Sequence, residues 1–259
     1  MDGNSTVRIG LLGCGNVGGA LVDLVAENGD AIAARTGLRL EIARVVVRDM
    51  AKYAARVPAG LLSDDAAGLV ADPGIDLVIE VIGGVDPARG LILAALKAGK
   101  PVVTANKELV AASGAELFDA AVKAGVDLLY EAAVAGAVPL MRPLRESLAG
   151  DRLQRVIGIV NGTTNFILTR MAEGGQSFAD ALVEAQGLGY AESDPTADVE
   201  GSDAAAKAAI IASVAFGVQV GAADVYREGI TGITGDDVAM AARLGYVVKL
   251  VAVAEKADD

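Results

Sequence analysis

The sequence predicts an α/β fold: a doubly wound parallel sheet over residues 1–133, then a second α/β domain over 134–259. Three observations carry this. Short apolar runs alternate with longer stretches of helical periodicity through the first half. A glycine-rich hexapeptide, GCGNVG, stands at the first strand-to-helix junction. The alternation stops near YEAAVAGAVPLMRPLRESL, residues 130–148, and a segment of different character follows.

Taken in order, VRIGLLG (7–13) is a short apolar run ending in glycine, which reads as a buried strand. Residues 16–36 repeat apolar side chains at helical spacing. A second strand is expected at 40–47, a short helix at 64–71, a third strand at 76–83 and a helix at 87–99. A strand at 101–106, a helix at 113–125 and a fifth strand at 126–132 complete the pattern. Such alternation means a parallel sheet with helical crossovers. In the second half, an apolar strand after residue 152 runs into the polar turn 161–165, where Asn and Thr can cap a helix. Further helices are expected at 178–189 and 203–218.

Composition narrows the function classes. Apolar residues make up 53% of the 259, which excludes a disordered chain. The net charge is −12 and no Lys/Arg run stands out, so nucleic acid and anionic membranes are poor partners. Cys14 is alone, so no internal disulfide can form, and without histidine there is no His-based triad or ordinary His zinc site. The N-terminus lacks a signal peptide's basic start and apolar core, and a cytoplasmic protein is expected.

GCGNVG supplies the chemistry of the first half. Gly13 permits a tight turn, Gly15 lets a pyrophosphate approach the backbone, and Gly18 lets helix pack on strand. The amides of the following helix, from Asn16 and Val17 onward, face the anion. The 1–133 domain is therefore expected to bind a dinucleotide, as a Rossmann-type fold does. At the end of the second strand, VVVRDM places Arg48 before Asp49. Arg48 is either a partner for the 2′-phosphate of NADP or a solvated loop arginine, while Asp49 offers an acceptor for a ribose hydroxyl.

The second half holds an unusual segment, GYAESDPTADVEGSDAAAKAAI (189–210). Five carboxylates precede Lys207, which is alone in an otherwise apolar helix. Asp203 lies at i−4 on the same face. Two readings stand: a structural ion pair, or a proton-transfer lysine positioned by Asp203.

Together with GLLGCGNVGGALVDL, VVTANKELVA, YEAAVAGAVPL and GIVNGTTNFIL, this segment resembles homoserine dehydrogenase across nearly the whole chain. The resemblance implies NAD(P)H-dependent reduction of L-aspartate 4-semialdehyde to L-homoserine, on the route to threonine, methionine and isoleucine. It makes Lys207 the general acid/base, Asp203 and Glu192 substrate contacts, and Lys107 a catalytic neighbour of nicotinamide and substrate. Thr104 and Gly189 join the cofactor contacts. EAAVAGAV resembles a loop for Na+ or K+, with Glu131, Val134, Gly136 and Val138 supplying oxygens; alternatively Glu131 is a solvated acid at a strand end. The 134–259 domain would bind substrate and form a homodimer. Family members continue beyond this length, so the chain is expected to be shortened at its C-terminus. Two other functions remain open: a cofactor-binding fragment without catalysis, or another NAD(P)-dependent amino-acid oxidoreductase.

Overall fold

The computed structural model describes residues 5–257. The chain parts between Ala133 and Val134 into two compact units.

In the first unit the elements run β1 (Ser5–Leu12), α1 (Asn16–Thr36), β2 (Leu38–Val46), α2 (Met50–Tyr53), β3 (Leu62–Ser63), α3 (Ala66–Ala71), β4 (Leu77–Glu80), α4 (Ala88–Lys97), β5 (Val102–Thr104), α5 (Lys107–Ala124) and β6 (Leu128–Leu129). The strands form one sheet in the order β3-β2-β1-β4-β5-β6, with every pairing parallel. This is the doubly wound order. It reverses direction between β1 and β4, and ligands bind such folds at that switch point, beyond the carboxyl ends of the strands. Ile9, Leu11 and Leu12 of β1 are buried, as are Val78 of β4 and Val102 of β5. Burial on both faces is why these strands read as continuous apolar runs rather than alternating ones.

The boundaries teach where local signals mislead. α1 runs over the expected residues and closes on Gly37, whose φ of 74° lets its amide reach Ala33 O. The helix expected from 113 begins at Lys107 instead, because Asn106 caps it by accepting the Leu109 amide at 3.1 Å. The Ser113-Gly114 pair looks like a start signal, yet Gly114 lies inside the helix, where Phe118 packs close to it. β3 was not expected: it is only two residues long and pairs at the sheet edge with Val45 and Val46.

The second unit comprises β7 (Arg155–Gly158), α6 (Gly162–Gly174), α7 (Phe178–Gly187), α8 (Thr196–Val199), α9 (Ser202–Phe216), α10 (Gly235–Arg243) and β8 (Ala252–Glu255). β7 and β8 pair antiparallel, Val156 opposite Ala254. Ile167, Leu168 and Met171 of α6 share a core with Ala181 and Ala185 of α7, Val199 of α8 and Val238 of α10. Helix α10 and strand β8 had no forecast. α10 carries a capping box in which Thr234 and Asp237 exchange hydrogen bonds across its first turn. In β8, Ala252 and Ala254 are buried while Val253 is exposed, the alternation of a half-buried strand.

Candidate functional site

Each unit holds one candidate site. In the first it is the loop leaving β1, and it is built almost entirely from backbone. Gly13 has a φ of +99°, and a Cβ there would sit 2.8 Å from the Val81 carbonyl oxygen. At Gly18 a Cβ would lie 2.3 Å from Gly13 O, so helix and turn touch directly. Gly15 is different: a Cβ there would meet nothing within 4 Å. Two glycines are demanded by the protein's own packing, and the third keeps an open approach for something else. Gly15 is also the N-cap of α1 and contributes no side-chain cap, so first-turn amides of that helix lack a capping side chain. Asn16 and Val17 are exposed beside it, and Cys14 is turned inward to the apolar core. Burial pushes the Cys14 thiol up, keeping it protonated.

Around this loop, Arg48 is exposed just past β2. The Asp49 side chain caps α2, accepting the Lys52 amide at 3.2 Å. Thr104 is fully buried, and its hydroxyl donates to Glu80 Oε2 at 2.6 Å. Lys107, half-buried, opens α5.

In the second unit the site is built from side chains. Lys207 Nζ donates to Asp203 Oδ2 at 2.7 Å and to the Val160 carbonyl at 2.8 Å. Asn161 Nδ2 reaches the same Asp203 oxygen at 2.9 Å and Asp198 Oδ1 at 2.7 Å. Asn161 also caps α6, its Oδ1 accepting the Thr164 amide at 2.9 Å and the Thr164 hydroxyl at 2.8 Å. Asp203 lies in the first turn of α9, where the helix dipole favours a carboxylate. Its side chain is only 3% exposed, against 16% for Lys207. A carboxylate so buried is costly unless charged or polar donors satisfy it, and Lys207 and Asn161 supply them. The lysine is reachable from outside while its acid is locked in place.

Helix α9 is not buried along its whole length: Ala204 to Ala206 and Ala208 to Ile211 are buried, and its last turn is half-exposed. Glu192 stands exposed between α7 and α8, its carbonyl taking a bond from Gln186. Gly189 is exposed with a φ of +78°. Glu131 opens a 3₁₀ turn, Glu131–Ala133, and is half-buried; Val134 is buried, whereas Gly136 and Val138 are exposed. Among the described residues, Asp203, Asn161 and Asp198 are joined to Lys207 directly or through one another, and Glu192 is not bonded to them.

Two members of the cluster, Asn161 and Asp198, had no assigned chemistry in the sequence. The helix start at 161–165 was readable, because Asn is a good cap. That its amide would also hold two carboxylates 37 and 42 residues away is set by tertiary packing.

Known proteins resemble this chain in sequence and in fold. Residues 13–131 match the profile described as "Homoserine dehydrogenase, NAD binding domain", and residues 139–258 match the one described as "Homoserine dehydrogenase". The homoserine dehydrogenase of Corynebacterium glutamicum is 56% identical over 252 residues, which are 97% of this chain and 57% of that protein. The chain thus spans little more than half the length of that relative. A crystal structure of a homoserine dehydrogenase from Thiobacillus denitrificans superposes with a TM-score of 0.94 at 44% identity, covering 100% of this chain and 60% of that one. A hyperthermophilic archaeal homoserine dehydrogenase in complex with NADPH gives 0.79 at 27% identity, over 97% of this chain and 79% of its own. With both profiles matched in succession and a fold shared along its full length, the chain belongs to the homoserine dehydrogenase family.

Proposed function

We propose that the chain is a homoserine dehydrogenase, interconverting L-aspartate 4-semialdehyde and L-homoserine with NAD(P)H or NAD(P)+. The observation that carries the proposal is the hydrogen-bonding state of Lys207. An ammonium has three N–H donors. Two are taken, by Asp203 and by the Val160 carbonyl. Among the described residues none takes the third, which can reach a substrate oxygen, and the side chain is exposed enough to do so.

Bound NAD(P)H supplies the hydride; the residues do the rest. As a carbonyl is reduced, its oxygen becomes an alkoxide. Lys207 donates the third proton to that oxygen. Asp203 and the Val160 carbonyl hold Nζ against rotation, and Asn161 holds Asp203. In the reverse direction a neutral Lys207 accepts the hydroxyl proton of homoserine. Glu192, exposed and anionic, would pair with the substrate ammonium, and Lys107 would act beside nicotinamide and substrate.

The first unit fits a dinucleotide. The open face over Gly15 and the uncapped first turn of α1 suit a pyrophosphate. Arg48 would take the NADP 2′-phosphate as a bidentate donor. The NADPH bound by the archaeal relative supports that choice. Thr104, buried as it is, would contribute through the turn it holds.

The loop after Glu131 fits a monovalent cation. Ala135 (φ 52°) and Ala137 (φ 69°) are both left-handed, a costly state for alanine. This alternation re-aims successive peptide planes, as carbonyl donors at Val134, Gly136 and Val138 would need, with Glu131 supplying a charge. Ile157, Ile159, Val251 and Val253 are exposed on and beside the β7–β8 ribbon, which supports a homodimer through that face. The reaction would serve threonine, methionine and isoleucine biosynthesis in the cytoplasm.

The test is a spectrophotometric assay of homoserine oxidation with NAD+ and with NADP+, on this chain and on one lengthened to its relatives' extent. Homoserine-dependent formation of NAD(P)H supports the proposal. Cofactor binding by both chains without turnover of homoserine would contradict it.

A further inference from the structure

Strand β4 ends in a residue no strand ending needs. Glu80 follows three apolar residues and is 0% exposed, so it lies deeper than Asp203. Its partners are all uncharged. Oε1 accepts the Ile82 amide at 2.7 Å and the Gly83 amide at 3.3 Å, and Oε2 accepts the Thr104 hydroxyl at 2.6 Å. Burying a carboxylate without a cation is expensive, and an amide or an apolar residue would close a strand at lower cost.

What the carboxylate holds explains its presence. Its first oxygen pins the start of the loop 81–84, where Gly83 and Gly84 are both left-handed. Its second orients Thr104, whose hydroxyl oxygen accepts the Asn106 amide at 3.0 Å. Asn106 then donates from Nδ2 to the Gly84 carbonyl at 2.6 Å, closing a ring, and caps α5 at the residue before Lys107. On the other side, Val81 bears on the fingerprint: its carbonyl oxygen is 2.8 Å, and its Cγ2 3.1 Å, from where side chains at Gly13 and Gly18 would begin. One carboxylate therefore ties the fingerprint turn, the loop after β4 and the N-terminus of α5 into a single rigid frame at the switch point of the sheet.

We infer that Glu80 is a positioning residue for the proposed reaction: it fixes the second wall of the dinucleotide cradle and the start of the helix that carries Lys107. The inference rests on the dinucleotide-binding reading above, not on homoserine being the substrate. Glu80→Gln keeps an oxygen for the Ile82 and Gly83 amides. Its NH2 group faces Thr104, whose hydroxyl then has no acceptor. Thr104→Val removes the same bond from the other side, and Thr104→Ser keeps it.

The test is the dissociation constant for NADPH and NADH, read by fluorescence titration of folded protein, with a denaturant midpoint for each variant. Glu80→Gln and Thr104→Val are expected to weaken binding roughly tenfold, the scale of losing one hydrogen bond to a charged group. Thr104→Ser should stay within about twofold of the parent, since its bond to Glu80 is retained. A lowered midpoint with unchanged affinity in the Thr104→Val variant would make the network merely structural and overturn the inference. So would equal losses in Thr104→Val and Thr104→Ser. Should Glu80→Gln fail to fold, the Thr104 pair decides alone. Cofactor binding without homoserine turnover would sink the enzymatic proposal and leave this inference standing; a parent chain that binds no dinucleotide would sink both.

Discussion

The glycine loop after β1 and the lysine cluster on α9 solve opposite problems. The loop achieves its shape by omission: Gly13 and Gly18 lack side chains because Val81 O and Gly13 O occupy the space. The cluster achieves its shape by addition, bringing Asn161, Asp198, Asp203 and Lys207 together through four hydrogen bonds that also include the Val160 carbonyl. A site of backbone is specified by a local run of six residues. A site of side chains is specified by the fold. The two should fail differently when altered.

Substitutions in the loop should have the largest effect on binding. Gly18→Val places a side chain against Gly13 O and is expected to abolish measurable dinucleotide binding and to lower stability as well. Gly15→Ala should separate the two losses. It meets no protein atom within 4 Å, so its thermal midpoint should stay near the parent's while NAD(P)H affinity falls. A Gly15→Ala chain that binds cofactor normally would mean the open face is not the pyrophosphate site.

In the cluster the next effect belongs to Asn161→Asp. The substitution keeps the α6 cap oxygen but replaces two donors with an acceptor facing Asp198 and Asp203. Loss of about 2–4 kcal/mol in denaturant unfolding at neutral pH is expected, from one buried and one half-buried carboxylate each losing a donor. An unchanged midpoint would show that the carboxylates find other partners and that Asn161 only caps.

Arg48→Ala should act more weakly, because the side chain is exposed. The Michaelis constant for NADP should rise by roughly tenfold and that for NAD by little. Equal changes would remove Arg48 from phosphate recognition.

The smallest effect concerns α10. The hydroxyl and amide of Thr234 hold the Asp237 carboxyl below the ordinary range. A carboxyl depressed in the folded state contributes stability above its unfolded pKa, and that contribution is lost as pH falls through the folded value. Thr234→Ala should therefore lower the midpoint slightly at neutral pH, with the difference shrinking in acid. A difference that grew in acid would contradict the sign.

The same contrast explains what could be read in advance. The sheet, its crossovers and the fingerprint depend on local periodicity and on glycine spacing, and these are visible in residues 7–13 and 13–18. Lys207 and Asp203 were visible because they sit one turn apart. Asn161, Asp198 and Glu80 were not, since their roles depend on partners that folding brings near: Glu80 meets Thr104 only because β4 and β5 pair in register. α5 starts six residues before the expected 113 because its cap, Asn106, gives a weaker local signal than Ser113-Gly114. β8 escaped because its partner strand lies about a hundred residues earlier.

The central claim, that Lys207 moves the proton, is tested most directly by turnover per folded molecule in Lys207→Ala, with the denaturant midpoint and cofactor affinity measured alongside. The expected result is a turnover roughly 10²–10⁴-fold below the parent, the range for a lost general acid–base, with dinucleotide affinity almost unchanged. A variant that is folded, binds cofactor and turns over homoserine at near the parent rate would reduce the Lys207–Asp203 pair to a structural salt bridge and contradict the account.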